Sequence, residues 1–379
     1  MDKFDDIRPY SDGEIQSVIV ELVKDHAFGM VIEKLYSQPG AKDFILQSLL
    51  KVKTIEELQT QLIVPLMEKI EKSSTNGLSY SAMDQFKTEE NYLFISNHRD
   101  IILDSAFLNV IMHTHGFQKT EIAIGDNLLA YSWIEKLVRI NRSFIVKRNL
   151  GLREQLAESK RLSKYIRYAI SEKGESVWIA QREGRSKDGN DLTQPALIKM
   201  LNMSNKKSIV DGYKELNIVP MAISYEIEPC GISKVEELLN RKYNPDFKKS
   251  QEDDMRSMAN GVMLPKGRVH FAFGNPLNIR IDEITANKTN NEIIQAISEY
   301  INRRVYFNYK LWPNNYIAAD LLLGTNNRNN HYTTEQKVQF TNQMEKEVSA
   351  LTFDPQESTR VYLEMYANPV LNYEKYFSE

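Results

Sequence analysis

Apolar positions change their spacing twice along this chain. Up to residue 75 they recur at helical intervals. Ile15, Val18, Ile19, Leu22 and Val23 follow Ser11 and Glu14, which have capping-box spacing. Phe44, Ile45, Leu49 and Leu50 form a second helical set. Leu58, Leu62 and Leu66 form a third, after a second capping-box pair, Thr54 and Glu57. Pro65 predicts a kink or break in that third helix. The polar stretch 72–77 marks a boundary. From about residue 78 short apolar runs alternate with helical periodicity. Strands are predicted at 92–95, 121–124, 143–146, 176–180, 218–224 and 268–273, with helices at 104–112, 127–138 and 152–171. This alternation predicts an α/β domain around a central sheet. Helical spacing returns at 293–311 and 334–350, with an aromatic cluster (Tyr306, Phe307, Tyr309, Trp312, Tyr316), a polar loop at 324–330 and a Tyr-rich tail. The expected organisation is a helical region 1–76, an α/β domain 77–290 and a C-terminal helical extension 291–379 that packs on the core.

Composition narrows the classes. The chain has 379 residues, and its 42% hydrophobic and 26% charged residues are those of an ordinary globular protein. A net charge of −3 implies no nucleic-acid partner. The single cysteine, Cys230, excludes an intrachain disulfide and a cysteine-based zinc site, and fits a reducing, cytoplasmic compartment. The acidic start, Met1-Asp2-Lys3-Phe4-Asp5-Asp6, is not that of a signal peptide. No apolar run approaches the roughly 18–20 residues that span a bilayer. Work on lipids would therefore proceed from the membrane surface.

Four strand ends carry chemistry. Phe94-Ile95-Ser96-Asn97-His98 runs an apolar strand into a histidine, with Asp100 and Asp104 following. One imidazole with one carboxylate is the smallest set of side chains that strips a proton from a hydroxyl at neutral pH. A lone histidine is more often structural, so the strand-end context carries the argument. His98-Arg99-Asp100 imitates the protein-kinase catalytic loop, but that loop needs Asn where Ser105 stands, and no Gly-rich loop or Asp-Phe-Gly accompanies it. His113 and His115 lack further zinc ligands nearby and read as an exposed helix end; no metal is expected. Phe144-Ile145-Val146 ends in Lys147 and Arg148, cations suited to a phosphate. The basic run beyond Arg153 reads as a solvated helix face. Val177-Trp178-Ile179-Ala180 ends in a charged turn, Arg182 to Gly189. Ile218-Val219-Pro220 begins the last apolar strand of the set.

In this order the blocks resemble the glycerolphosphate and lysophosphatidic acid acyltransferase family, over about residues 80–280. The family's His and Asp, its strand ending in basic residues, its Glu-Gly-x-Arg-Ser turn and its Val-Pro strand correspond to His98, Lys147-Arg148, Glu183-Gly184-Arg185-Ser186 and Val219-Pro220. Val269 to Pro276 is similar to its closing strand and Gly-x-Pro turn. Two spacings depart. Five residues separate His98 from Asp104 where the family has four, so either the turn bulges to bring Asp104 in or Asp100 is the partner; Asp104 is favoured as the helix start. The third block is one residue short, so either Glu183 or Arg182 fills the Glu position.

The resemblance implies a central mixed sheet flanked by helices, with helical extensions at both ends. It implies transfer of an acyl chain from acyl-CoA or acyl carrier protein to a hydroxyl of lysophosphatidic acid or glycerol 3-phosphate, in phospholipid synthesis. His98 would be the general base and Asp104 its partner. Lys147, Arg148, Glu183, Gly184, Arg185 and Ser186 would bind substrate. No cofactor beyond the acyl-thioester co-substrate is implied. The enzyme would sit peripherally at the inner membrane face. Two alternatives remain open: O-acylation of another lysolipid, such as a lyso-amino-acid lipid, and a non-catalytic membrane-surface scaffold using the 306–316 aromatics and the basic helix.

Overall fold

Seven strands form one sheet in a computed structural model that describes residues 3–36 and 38–377. They are β1 Leu78–Ser81, β2 Leu93–Ser96, β3 Glu121–Gly125, β4 Ser143–Val146, β5 Val177–Ala180, β6 Ile218–Tyr225 and β7 Val269–Phe273. Their spatial order is β1-β7-β6-β2-β5-β3-β4. Strands β6, β2, β5, β3 and β4 run parallel; β7 is antiparallel to β6 and parallel to β1. The inner strands are covered on both faces, which is why they read as continuous apolar runs; all eight residues of β6 are buried. The expected mixed sheet with flanking helices is the observed architecture.

Before the sheet lie α1 Asp12–Lys24, α2 His26–Leu35, α3 Ala41–Lys51, α4 Ile55–Leu58 and α5 Val64–Ser74. Ser11 and Glu14 cap each other at the start of α1, and Thr54 accepts from the Glu57 N–H at 3.1 Å. The break expected at Pro65 is a π-helical turn, Gln59–Ile63; the proline then sits in the first turn of α5, where its missing N–H costs nothing. The sheet connections carry α6 Leu103–Thr114, α7 Ser132–Ile140, α8 Leu152–Tyr168, α9 Pro195–Leu201, α10 Ile209–Lys214, α11 Gly231–Tyr243 and α12 Gln251–Met263. After β7 come α13 Ile281–Thr285, α14 Asn290–Asn308, α15 Pro313–Leu323, α16 Thr334–Val348 and α17 Pro355–Phe377.

One sheet face packs on α8, α9 and α14, the other on α5 and α6. The helices α15, α16 and α17 share a separate apolar core with Val235 and Leu239 of α11. The segment before α1 lies along edge strand β4. The Ile145 N–H donates to the Ile7 carbonyl at 2.8 Å, and Phe4 and Ile7 enter the core. Among the described residues no helix is long and apolar enough to cross a membrane.

Several elements differ from expectation. β1 is a short polar strand on the sheet edge, with no apolar run to announce it. The helix expected over 127–138 is a short 3₁₀ turn at 126–128 followed by α7. The Tyr-rich tail is the 23-residue α17, which continues through Pro369 and buries Val361, Tyr362, Met365 and Tyr366 before it and Val370 after it. Tyr306, Tyr309 and Trp312 of the aromatic cluster are buried, which removes them as membrane contacts; Phe307 is exposed.

Candidate active site

Because β2, β3, β4, β5 and β6 all run in one direction, the exits of β2, β4 and β5 lie on one sheet edge, where parallel sheets gather their ligand sites. The chain leaves β2 under local control. The Asn97 side chain pairs with the β6 backbone as a strand residue would: Nδ2 donates to the Ile223 carbonyl at 2.9 Å, and Oδ1 accepts from the Ile223 N–H at 2.8 Å. Ser96 Oγ accepts from the Trp178 indole at 3.0 Å, and the Trp178 ring meets the His98 ring edge-on at 5.4 Å. His98 is thereby set at the end of the strand with its side chain 14% exposed.

The His98 Nδ1 and Asp104 Oδ2 lie 2.8 Å apart. A carboxylate only accepts, so the imidazole donates from Nδ1 and leaves Nε2 outside this pair. Asp104 is fully buried and accepts three further hydrogen bonds: from the Arg99 N–H at 2.6 Å, the Asp100 N–H at 3.0 Å and the Tyr225 hydroxyl at 2.8 Å. Burial alone would raise its pKa, but the contacts from His98, the Arg99 N–H and Tyr225 outweigh it and hold the carboxyl below its ordinary value.

Asp100 does a different job. Its Oδ1 accepts from the Ile102 and Leu103 N–H groups at 2.9 and 2.8 Å and so caps α6. Burial, and then the neighbouring Asp104, push its pKa up. Two nearby carboxyls are thus driven apart, and the ionised one faces the imidazole. The extra residue between His98 and Asp104 is absorbed in the turn before α6.

The charged turn after β5 is joined to the β2 exit through backbone. The Gln181 N–H donates to the Ser96 carbonyl and the Ser186 N–H to the His98 carbonyl, both at 2.8 Å. Gly184 (φ +72°) and Gly189 (φ +76°) take left-handed conformations. At Gly189 a Cβ would also come within 2.5 Å of the Met365 carbonyl on α17. Arg185 is 7% exposed, and its Nη1 has no hydrogen-bond partner. Ser186 is likewise buried. Glu183 is exposed and pairs with Arg148 at 3.4 Å, while Arg182 donates to the Asn190 carbonyl at 3.1 Å. Arg148 therefore joins the turn beside His98. Lys147 does not: it is held by Asp6 at 2.6 Å and by Glu158 at 3.9 Å. Tyr225, Trp178 and the partnering role of Asn97 were not singled out from sequence.

Residues 77–224 match the family model described as Acyltransferase. No curated protein matches the chain. Among solved structures, the chain is similar to the 1-acyl-sn-glycerophosphate (LPA) acyltransferase PlsC from Thermotoga maritima at 9% identity and a TM-score of 0.37, covering 78% of this chain and 94% of that one. It is similar to chloroplast FtsY from Physcomitrella patens at 13% identity and a TM-score of 0.20, covering 67% and 88%. The exits of β2, β4 and β5 all fall within residues 77–224, the part of the chain that matches the Acyltransferase family model.

Proposed function

We propose that the protein transfers an acyl chain from an acyl-CoA or acyl carrier protein thioester to a hydroxyl of a phosphate-bearing glycerol acceptor, with His98 as general base. The observation that carries this reading is the His98 Nδ1 to Asp104 Oδ2 contact of 2.8 Å, inside the acyltransferase domain, with Asp104 kept ionised. Nε2 takes the proton as the acceptor oxygen attacks the thioester carbonyl. Asp104 stabilises the imidazolium formed. The tetrahedral intermediate collapses, the C–S bond breaks, and the imidazolium returns its proton to the leaving thiolate. No acyl-enzyme forms, because the acceptor is itself the nucleophile. Arg185, with an unpartnered Nη1, and Arg148 beside it would take the acceptor phosphate. The enzyme would meet its lipid substrate from the membrane surface.

A second reading changes the acceptor to a lysolipid without phosphate. It is favoured by one observation: Lys147 and Arg148 already hold acidic partners, Asp6 and Glu183. Mass spectrometry of products from palmitoyl-CoA with glycerol 3-phosphate, lysophosphatidic acid or hydroxylated lyso-aminolipids separates the two. Acylated phosphate acceptors, with turnover lowered about 10²–10⁴-fold in His98→Ala, are expected. Near-normal turnover in His98→Ala would remove the general-base role, and products from lyso-aminolipids alone would move the function to the second reading.

A further inference from the structure

Behind the His98–Asp104 pair lies a set of charged side chains that the proton transfer does not use. Arg99, directly after the base, is fully buried. Its guanidinium contacts the Asp191 carboxylate on one side and Glu228 Oε2, at 3.2 Å, on the other. It sits over the Tyr309 ring at 5.4 Å. Lys234, equally buried, donates to the Glu228 carboxylate and to the Arg99 carbonyl, the latter at 2.7 Å. The Arg99 N–H donates to Asp104 Oδ2 at 2.6 Å. Residue 99 is therefore held by its amide, its carbonyl and its guanidinium at once.

Such an arrangement is a poor source of stability. The desolvation of buried ions offsets most of their mutual attraction, and well-packed apolar side chains commonly do as well. What it does supply is a fixed position. It supplies it in the stretch with one residue more than the family pattern, where a slack turn would let Asp104 slip from the imidazole. Arg99 follows β2, Asp191 follows β5, Glu228 follows β6 and Lys234 belongs to α11. The Asp191 N–H donates to the Tyr306 hydroxyl and the Glu228 N–H to the Tyr366 hydroxyl, both at 3.0 Å. Helices α14 and α17, outside the matched residues 77–224, thus brace the set.

We propose that Arg99 is a positioning residue for acyl transfer: its buried ion pairs fix the backbone N–H that orients Asp104, and through Asp104 the base, and they make the C-terminal helices part of the active-site support. This rests on the reading of His98 as general base. Arg99→Lys keeps the charge but not the planar fork that reaches two carboxylates. We expect kcat to fall about 10²-fold with acceptor KM changed less than about twofold, as for a misplaced catalytic group. Glu228→Gln and Tyr366→Phe, which remove less, should lower kcat by about tenfold or less with the same split. Proton NMR follows the downfield Nδ1–H signal of the His98–Asp104 hydrogen bond, expected to shift or broaden in Arg99→Lys. This readout does not depend on which acceptor is used, so it tests the positioning even if no acceptor turns over. Should Arg99→Lys fail to fold, the two milder variants carry the test. Lower melting temperatures with unchanged kcat per folded molecule and an unchanged Nδ1–H signal would make the set purely structural and overturn the proposal.

Discussion

The exit of β2 and the exits of β4 and β5 share one sheet edge but are finished in different ways. At β2 the Asp104 carboxylate is fully buried and accepts four hydrogen bonds. At β4 and β5 the cations lean on acids whose side chains are 51% exposed for Asp6 and 66% exposed for Glu183. Exposed pairs contribute about 0–1 kcal/mol, so an incoming anion can replace them. Under the proposed function, the half that would handle the proton is set by folding, whereas the half that would bind an anion is open to exchange. Arg185 in the turn after β5 is instead buried, with an unpartnered Nη1.

Four measurements break or sharpen this contrast. The largest effect is expected at the buried carboxylate. Asp104→Asn should lower kcat about 10²–10⁴-fold, because an amide no longer fixes the tautomer or balances the imidazolium. Asp100→Asn, assayed beside it, should cost less than about 1 kcal/mol of stability, because Asn caps about as well as Asp, and leave kcat within about tenfold. The reverse order would exchange the roles given to the two aspartates. Next comes Arg185→Ala, with acceptor KM raised about tenfold or more and kcat nearly constant, since a hydrogen bond to a charged group contributes about 1.5–3 kcal/mol. A loss confined to kcat would place Arg185 on the proton-handling side. Smaller again are Asp6→Asn and Glu183→Gln. By releasing Lys147 and Arg148 they should lower the KM of a phosphate acceptor up to about fivefold; an unchanged KM means those pairs do not compete with substrate.

The smallest effect is one of pH and belongs to the buried half. Burial pushes the Lys266 amine down from its ordinary 10.5 to about 8, against the opposing charge of Asp100. Between those values the unfolded chain binds more protons than the folded one, so this group makes stability rise with pH from about 8 towards 10.5. Below about 8 both states are protonated and its contribution is flat. Urea unfolding at stepped pH should show the rise in the wild type and a weaker one in Lys266→Met. Equal slopes in the two proteins would mean that this amine is not buried as described.

Much of the frame was legible because buried parallel strands announce themselves as apolar runs, and their charged exits stand out against them. Spacing alone does not separate Asp100 from Asp104, because it does not show that Asp100 lies where its carboxylate meets the N–H groups of Ile102 and Leu103 at the start of α6. Tyr225 and Trp178 reach the site from other strands, a contact that no local pattern encodes. Arg99 looked like part of a kinase imitation, and its burial depends on Asp191 and Glu228, far along the chain. Helix α17 was hidden by Pro369 and by tyrosines, which carry apolar area without an unbroken aliphatic stripe. Lys147 was expected beside Arg148, but Asp6 draws it to the N-terminal segment.

That segment has a second consequence. An outer strand with bare amide and carbonyl groups is a template for pairing with another molecule. By placing the Ile7 carbonyl on the Ile145 N–H and burying Phe4 and Ile7, the segment before α1 caps that template, while Asp6 holds Lys147 and Arg161 across it like a clasp. Solubility of the sheet and the availability of one basic side chain are therefore governed by the same few residues. Whatever lifts Asp6 to free Lys147 also loosens the guard on the β4 edge.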